Sequence, residues 1–349
     1  MRLRRSLTAI AGLAAAATLL TACAGTASGD DAAAPESGGF TTTEATDEFP
    51  LVIEHAFGET EVAEAPERVA TWGWGSTEAA ISVGVYPVAV AEQSWTVGEG
   101  NLLPWVEEAY DEAGIPKPAV LTDADGGATM PYEEFVAADP DLIVAPYSGL
   151  TEEQYDLLSD IAPVVAYPDA PWTTSWQDTI SITANSLGRS AAGDQVLRDI
   201  EQGIADDAAA HPEFEGATFV SIWDGDGVVS VYTEADARVS VLTGLGLEVA
   251  PSVAELDSSD GGFYYDLSYE QVDQLDADFV ILFAASEDAA AASLAKPELQ
   301  AIPAVAAGKV VQVVDPVTVS SVSPPTALSF GWQAGWPTLV ADIASVLAG

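Results

Sequence analysis

The chain has 349 residues and carries 55 Asp and Glu residues against 10 Lys and Arg residues, a net charge of −45. This acidity argues against nucleic-acid binding, because contacts to phosphates need Lys and Arg to displace counterions. One Cys and two His residues exclude a disulfide framework, a thiolate zinc cluster and a His-rich metal cage. The 48% hydrophobic content suffices for sizeable buried cores, and the length suits about two domains.

Residues 1–22 are typical of an export signal, in which Arg residues precede an uncharged apolar stretch. The stretch is roughly 15 residues long, shorter than the roughly 20 that a permanent spanning helix needs. It ends in Leu20-Thr21-Ala22-Cys23, which resembles the lipobox of bacterial lipoproteins. We therefore predict a lipoprotein signal peptide and a cell-membrane anchor on Cys23. An ordinary signal peptide followed by a chance Cys is the alternative.

Residues 23–48 are small, polar and acidic without a period, which predicts a flexible tether. Apolar runs on either side of Gly58 then predict a β-hairpin over residues 49–62. From Arg68 onward, short apolar runs alternate with helical stretches, a pattern that favours a parallel sheet covered by helices. The predicted strands are 69–72, 87–91, 141–145 and 163–167, and the predicted helices are 76–81 and 152–161.

Residues 190–210 form the longest helical pattern, since Val196, Leu197, Ile200 and Ile204 recur at spacings of three and four. Beyond it the alternation restarts, with strands expected at 217–223, 279–283 and 309–314 and a hairpin turn at 224–227. The predicted fold is therefore α/β, with two lobes of mainly parallel sheet joined by one long helix and a ligand cleft between them. We assign 49–172 to the N-terminal lobe, 173–211 to the connecting helical segment and 212–349 to the C-terminal lobe.

A short segment recurs in the two lobes. Residues 132–144 align with residues 269–281, and both segments begin with Tyr-Glu and contain Asp-x-Asp before an apolar strand. The pattern places Glu133 and Glu270 in the first turn of a helix that leads into a core strand. We expect the two Glu residues to occupy equivalent positions in two similar lobes.

The sequence lacks the signatures of two common kinds of active site. It has no Gly-x-Ser-x-Gly elbow and no phosphate-binding loop. We expect His55 and His211 to lie at the surface rather than in a catalytic triad. The acidic stretch 123–127 resembles a calcium-binding loop, but Ala128 stands where that loop needs Gly, so we predict a turn. The chain is therefore predicted not to be an enzyme, with an exported hydrolase or a surface structural protein as the remote alternative.

Aromatic residues follow the carboxyl ends of several predicted strands, the edge at which α/β sheets bind ligands. For any single ring, packing in a core is the alternative. Together they predict a wide, aromatic cleft for a large ligand held by stacking and a few hydrogen bonds. The predicted ligand-binding residues are Trp72, Trp74, Trp95 and Tyr147 on one wall, and Trp223, Arg238 and Tyr265 on the other.

Nearly the whole chain from Phe49 onward resembles bacterial iron–siderophore substrate-binding lipoproteins, the ABC-importer binding proteins whose lobes are linked by a rigid helix. The similar stretches are 49–60, 65–69, Pro140-Asp141-Leu142-Ile143-Val144 and 152–164, in this order behind the lipobox. The resemblance implies a monomer that binds a ferric siderophore, holds no metal or cofactor of its own, and partners a permease dimer with a cytosolic ATPase. It also implies that Glu133 and Glu270 dock onto permease arginines, although Ala277 replaces the family's Pro in the second lobe.

The charge of the ligand can also be predicted. Binders of ferric triscatecholates usually present several cations to that anionic ligand, whereas this chain has seven Lys and Arg residues beyond the signal peptide. Arg238 is the best candidate among them for the cleft. A neutral or cationic ferric hydroxamate therefore fits better than a triscatecholate, and cobalamin or haem remains the alternative ligand within the same fold.

Overall fold

The computed structural model describes residues 40–93, 101–225, 227–323 and 325–349. Cys23 and Trp95 lie outside these residues. The first half contains, in chain order, β1 (Phe40–Thr41), β2 (Leu51–His55), β3 (Gly58–Val62), β4 (Val69–Thr71), α1 (Ser76–Ser82), β5 (Val85–Tyr86), β6 (Ala89–Ala91), α2 (Pro104–Ala113), β7 (Ala119–Leu121), α3 (Tyr132–Ala138), β8 (Leu142–Val144), α4 (Glu152–Ser159), β9 (Val164–Val165) and α5 (Trp176–Ser186).

In the described part of the first lobe, five parallel strands lie in the order β7-β6-β4-β8-β9. All residues of the central strands β4 and β8 are buried, as expected for a parallel sheet with helices on both faces. The predicted hairpin is present as the antiparallel pair β2–β3. The carboxyl ends of β4 and β8 are adjacent, so the loops that follow them meet at one edge of the sheet.

The connecting helix is α6 (Ser190–Ala210), which has the bounds that the apolar spacing predicted. The second half continues with a short 3-10 helix (Pro212–Phe214), β10 (Thr218–Gly225), β11 (Val228–Tyr232), α7 (Ala237–Thr243), β12 (Glu248–Val249), α8 (Pro251–Leu256), β13 (Tyr264–Ser268), a 3-10 helix (Val272–Gln274), β14 (Phe279–Ala284), α9 (Glu287–Leu294), a 3-10 helix (Leu299–Ala301), α10 (Pro303–Ala306), β15 (Val310–Val314), α11 (Pro316–Val322), a 3-10 helix (Ser329–Gly331) and α12 (Trp336–Ala348).

The sheet of the second lobe is mixed. Strands β12, β14 and β15 join β10 in a parallel arrangement, whereas β11 and β13 extend the other edge in an antiparallel one. The predicted turn after β10 produces this change, because Gly225 pairs with Val228 and the chain folds back as β11. The fold class is confirmed: two α/β lobes are joined by one long helix.

The N-terminal stretch requires a correction, because residues 40–48 lie against the first lobe instead of extending the tether. Strand β1 pairs with β5, and the Arg189 guanidinium donates from Nη2 to the Thr43 carbonyl at 2.7 Å. The Asp47 carboxylate accepts from the Ser190 backbone N–H at 2.9 Å. Polar hydrogen bonds, rather than buried apolar side chains, hold this segment in place. Its sequence therefore shows no apolar period from which the contact could be predicted.

The end of the second lobe returns to the first lobe, which the predicted boundary at 212–349 does not anticipate. The Thr326 hydroxyl donates to Glu78 Oε1 at 3.0 Å, and the Trp332 ring lies 5.6 Å from that of Trp105 between centroids. Glu78 is buried, and its carboxylate also accepts from Trp105 Nε1 at 3.0 Å. This segment ties the lobes together in addition to α6.

Two further predictions are wrong. His55 is buried rather than at the surface: its Nδ1 accepts the Phe57 backbone N–H, which leaves Nε2–H to donate to Thr60 Oγ1 at 2.9 Å. Burial lowers the pKa of His55, so the neutral ring is favoured. Glu270 lies in a turn ahead of the 3-10 helix Val272–Gln274, not in the first turn of an α-helix. Glu133 does lie in the first turn of α3.

Candidate functional site

Two adjoining cavities open between the lobes, beyond the carboxyl ends of β4, β8 and β10. They enclose about 530 Å³ and about 200 Å³. Trp74, Arg238, Phe263 and Ser323 line both of them, so they form one cleft. The other lining residues include Tyr147 and Trp172 from the first lobe, and Trp223, Ser230, Tyr232, Tyr264 and Asp266 from the second.

The first-lobe wall depends on close backbone packing. The Trp74 backbone N–H donates to the Tyr147 carbonyl at 3.0 Å, which brings the loops after β4 and β8 together. Gly73 permits this approach, since it has φ +79° and a Cβ there would overlap the Tyr147 carbonyl oxygen. The rings of Tyr147 and Trp172 meet edge to face, with centroids 5.7 Å apart. The wall is thus a set of aromatic rings fixed by backbone contacts.

The second-lobe wall combines aromatic rings with one cation. The Arg238 guanidinium carbon lies 3.9 Å from the centroid of the Tyr232 ring, a cation–π distance. Tyr232 in turn meets Phe283 edge to face at 5.9 Å. Phe263 and Tyr264 continue this surface, with their ring centroids 4.8 Å apart. A flat ligand face can therefore stack here beside a hydrogen-bond donor.

Arg238 is paired with a carboxylate. Asp236 is 1% exposed, and its Oδ1 accepts from the Arg238 backbone N–H at 2.8 Å and from Nε–H at 2.7 Å. Burial raises the pKa of the Asp236 carboxyl, an effect that the guanidinium opposes. Burial, the largest single influence, would lower the pKa of Arg238, but the Asp236 carboxylate together with Tyr232 and Tyr147 outweighs it, so the pKa is raised. A guanidinium stays protonated in proteins, so the two side chains form an ion pair.

Tyr147 approaches this pair from the other lobe. Burial raises the pKa of the Tyr147 hydroxyl, and the negative charge of Asp236 adds to the rise. The hydroxyl therefore stays neutral and can donate a hydrogen bond into the cleft.

One end of the cleft is acidic. A third cavity of about 290 Å³ shares Trp74 and Gly126 with the smaller of the two and is also lined by Glu92, Asp123 and Asp125. Residues 123–127 form the predicted turn, in which Asp123 Oδ1 accepts the Gly127 backbone N–H at 2.6 Å. Burial raises the pKa of Asp123, and the nearby charges of Asp125 and Glu92 act in the same direction.

The predicted site residues fall into three groups. Trp74, Tyr147, Trp223 and Arg238 come together in the cleft. Trp72 and Tyr265 do not, and these two predictions are corrected. Trp95 lies outside the described residues.

Local geometry explains both corrections. Trp72 is 1% exposed and packs on Phe135 in the core of the first lobe, because the turn at Gly73 breaks the strand alternation that would place it beside Trp74. Tyr265 is buried with its hydroxyl donating to the Val253 carbonyl at 3.0 Å. Its neighbour Tyr264 occupies the cleft face instead, because successive residues of a strand point to opposite faces.

Sequence reasoning missed several cleft residues, and for some of them a signal was available. In β11, Val229 and Val231 are buried, which leaves Ser230 and Tyr232 to the cleft side. The same two-residue period in β13 would have selected Tyr264 and Asp266 over Tyr265. Trp172, Phe263 and Ser323 also line the cleft without being among the predicted site residues. Trp172 and Phe263 are aromatic residues at a strand end or in a loop, so their positions offered a signal, whereas no spacing selects Ser323.

Glu133 and Glu270 are both exposed. Within the residues that the structure describes, no group of three or more His, Cys, Asp or Glu side chains is arranged to hold a metal ion. Over the same residues, no helix combines the length and the apolar character needed to cross a bilayer.

A family model described as periplasmic binding protein matches residues 69–316. The chain therefore belongs to the periplasmic binding protein family, as the resemblance predicted. Members of this family are substrate-binding proteins, so the chain is a binding protein and not an enzyme.

Solved structures give the same architecture. The iron uptake ABC transporter substrate-binding protein PiaA from Streptococcus pneumoniae is 30% identical with a TM-score of 0.74, over 85% of this chain and 99% of that chain. The structure of PiaA in complex with ferrichrome is 31% identical with a TM-score of 0.76, over 85% of this chain and 98% of that chain.

Two curated relatives match over shorter stretches. A probable siderophore-binding lipoprotein of Bacillus subtilis is 27% identical over 156 residues, which is 44% of this chain and 43% of that protein. An achromobactin-binding periplasmic protein of Dickeya dadantii is 30% identical over 135 residues, which is 38% of this chain and 39% of that protein. The chain thus matches less than half the length of each of these two relatives.

Proposed function

We propose that this chain binds a ferric siderophore outside the cytoplasm and delivers it to an ABC importer. The observation that carries the proposal is the interlobe cleft, in which aromatic rings of both lobes surround the Arg238 guanidinium. Such a cleft suits a large, compact, weakly polar complex with ligand oxygens at its surface. The likeness to a protein solved with ferrichrome over nearly its whole length supports the same ligand class.

A ferric hydroxamate is the favoured ligand type. Arg238 is the only Lys or Arg among the described residues that line the cleft, and Asp236 already pairs with it. A triply negative triscatecholate would be poorly compensated in this surrounding, because a buried charge without a partner is costly. The siderophore supplies the iron ligands in this proposal, so the protein needs no metal site or cofactor of its own.

The proposed partners are a permease dimer and its cytosolic ATPase, with this chain acting as a monomer. Glu133 and Glu270 are exposed, one in each lobe, and would pair with permease cations. Charged pairs at such an interface orient the partner and fix its register.

The proposed anchor is a lipidated Cys23. Relatives named as a lipoprotein and as a periplasmic protein support a position outside the cytoplasm. Cys23→Ser should release the protein from the membrane without loss of fold, because a hydroxyl cannot form the thioether. Mass spectrometry of the wild-type N-terminus would contradict the anchor if it found no lipid.

A titration of Trp fluorescence tests the binding function. Ferrichrome, haem and cobalamin are each added to the purified protein, with iron-free siderophore as the control. Saturable quenching by ferrichrome at micromolar or lower concentration is the expected result, since Trp74, Trp172 and Trp223 line the cleft. Saturable binding of haem or cobalamin alone would overturn the siderophore assignment in favour of that ligand.

A further inference from the structure

Asp236 has two roles in the local structure that can be separated by mutation. It is the N-cap of α7, where its Oδ1 accepts the Arg238 backbone N–H. The same oxygen accepts from Arg238 Nε, which makes it the counter-ion of the cleft guanidinium. Asp236 Oδ2 is buried and has no hydrogen-bond partner among the described residues. The carboxylate thus does more than capping requires, since a neutral side chain could supply the cap alone.

The ion pair of Arg238 and Asp236 determines the net charge at the centre of the cleft. The Arg238 side chain is 14% exposed and that of Asp236 is 1% exposed, so the guanidinium borders the cavity while its counter-ion lies behind it. A ligand therefore meets donor groups whose positive charge is already neutralised. Asp266 and the acidic end at Glu92, Asp123 and Asp125 leave the walls negative as a whole.

Other cations of the second lobe are held elsewhere. Lys296, for example, donates to Asp224 Oδ1 and to the Tyr269 hydroxyl, both at 2.9 Å. The charge that a ligand meets in the cleft therefore depends on whether Arg238 is neutralised.

We propose that Asp236 is a specificity-determining residue, which neutralises Arg238 from behind and so makes the cleft select uncharged or cationic ferric complexes over anionic ones. This inference rests on the proposed function, since it concerns the charge of the siderophore complex. Its physical basis is that removing one partner of a buried ion pair leaves a charge that an anionic ligand can satisfy. Asp236 acts through Arg238 and need not touch the ligand itself.

Asp236→Asn is the decisive variant. Asn retains an oxygen for the α7 cap and removes only the charge, so the fold should persist. We expect the affinity for ferric enterobactin, a triply negative triscatecholate, to rise about tenfold relative to that for uncharged ferrichrome. This gain should shrink as salt is added, because the new attraction is between net charges. Glu234→Gln is the matched control, since Glu234 is exposed in the same loop and its loss should leave the ratio unchanged.

The outcomes are distinct. If wild-type protein binds neither ferric complex, the proposed function fails and the inference fails with it. If wild-type protein binds ferrichrome but Asp236→Asn keeps the wild-type ratio of affinities, only the inference is overturned. An equal gain in Glu234→Gln would also overturn it, because the effect would then be one of overall charge. Asp236→Ser, which also caps, serves as the second variant, and unfolding of both variants would show that the carboxylate is structural and overturn the proposal.

Discussion

On the first-lobe wall of the cleft, Trp74 and Trp172 are positioned by close backbone packing, whereas on the second-lobe wall Arg238 is positioned by a buried carboxylate and an aromatic ring. The first arrangement depends on glycines that admit another chain segment at short distance. The second depends on charge compensation at the start of α7, where Asp236 pairs with Arg238. Changes to the backbone that supports the first wall should therefore act through sterics and stability, whereas changes to the Arg238–Asp236 pair should act through the charge that the ligand meets.

The largest expected effect separates a ring in the core from a ring in the cleft. Trp72→Ala should lower the free energy of unfolding by about 3–5 kcal/mol, because it leaves a cavity beside Phe135. Trp74→Ala should instead weaken ferrichrome binding by about 1–3 kcal/mol and change stability far less, taking base–aromatic stacking as a loose analogue. Denaturant titration and fluorescence titration of both variants measure this difference. Equal destabilisation by the two variants would contradict the assignment of the walls.

A second test concerns the backbone of the first wall. Gly73→Ala combines a left-handed φ of +79° with overlap of the new Cβ on the Tyr147 carbonyl oxygen. We expect a loss of roughly 3 kcal/mol in stability, of which the left-handed φ accounts for about 1 kcal/mol and the overlap with the Tyr147 carbonyl for most of the rest. Gly114→Ala is the control, since it has φ +66° and open space around the Cβ position, and should cost about 1 kcal/mol. Similar melting temperatures of the two variants would show that the space between Gly73 and the Tyr147 carbonyl can accommodate a Cβ.

The residues in these two tests also show which parts of the fold and of the cleft can be predicted from the sequence. The bounds of α6 follow from apolar spacing, and the loops after β4 and β8 follow from strand ends. The sequence cannot show that Gly73 turns Trp72 and Trp74 to opposite sides, because that depends on a close contact with a distant loop. Nor does its apolar pattern reveal that polar contacts to Arg189 hold residues 40–48. Tyr264 could have been chosen over Tyr265 by the two-residue period of β13.

A third prediction compares the two lobes at the proposed permease surface. Glu133→Ala combined with Glu270→Ala should leave ferrichrome affinity unchanged and reduce siderophore uptake by cells about tenfold. Glu201→Ala combined with Glu255→Ala is the control, as these exposed residues lie on α6 and α8. Because Glu133 lies in a helix and Glu270 in a turn, the single mutants Glu133→Ala and Glu270→Ala should also differ from each other in siderophore uptake. Normal uptake by the Glu133/Glu270 double mutant would exclude the docking role.

The smallest expected effect is a pH dependence confined to the first lobe. Burial lowers the pKa of His55, so below about pH 6.5 the unfolded chain takes up a proton that the folded chain resists. The folded state therefore keeps its full stability above the unfolded-state pKa of His55. It loses stability as the pH falls below that value, because protonation favours the unfolded chain. The melting temperature should therefore fall between about pH 7 and pH 5, and it should fall less in His55→Gln. Identical pH profiles would show that His55 makes no such contribution.

The most direct test of the account is a crystal structure of the protein with ferrichrome, with anomalous scattering recorded at the iron edge. The account predicts one strong iron peak in the interlobe cleft, with the ligand in contact with Trp74 and within hydrogen-bond reach of Arg238 and Tyr147. An iron peak elsewhere on the protein, or a cleft without ligand at saturating ferrichrome, would contradict it.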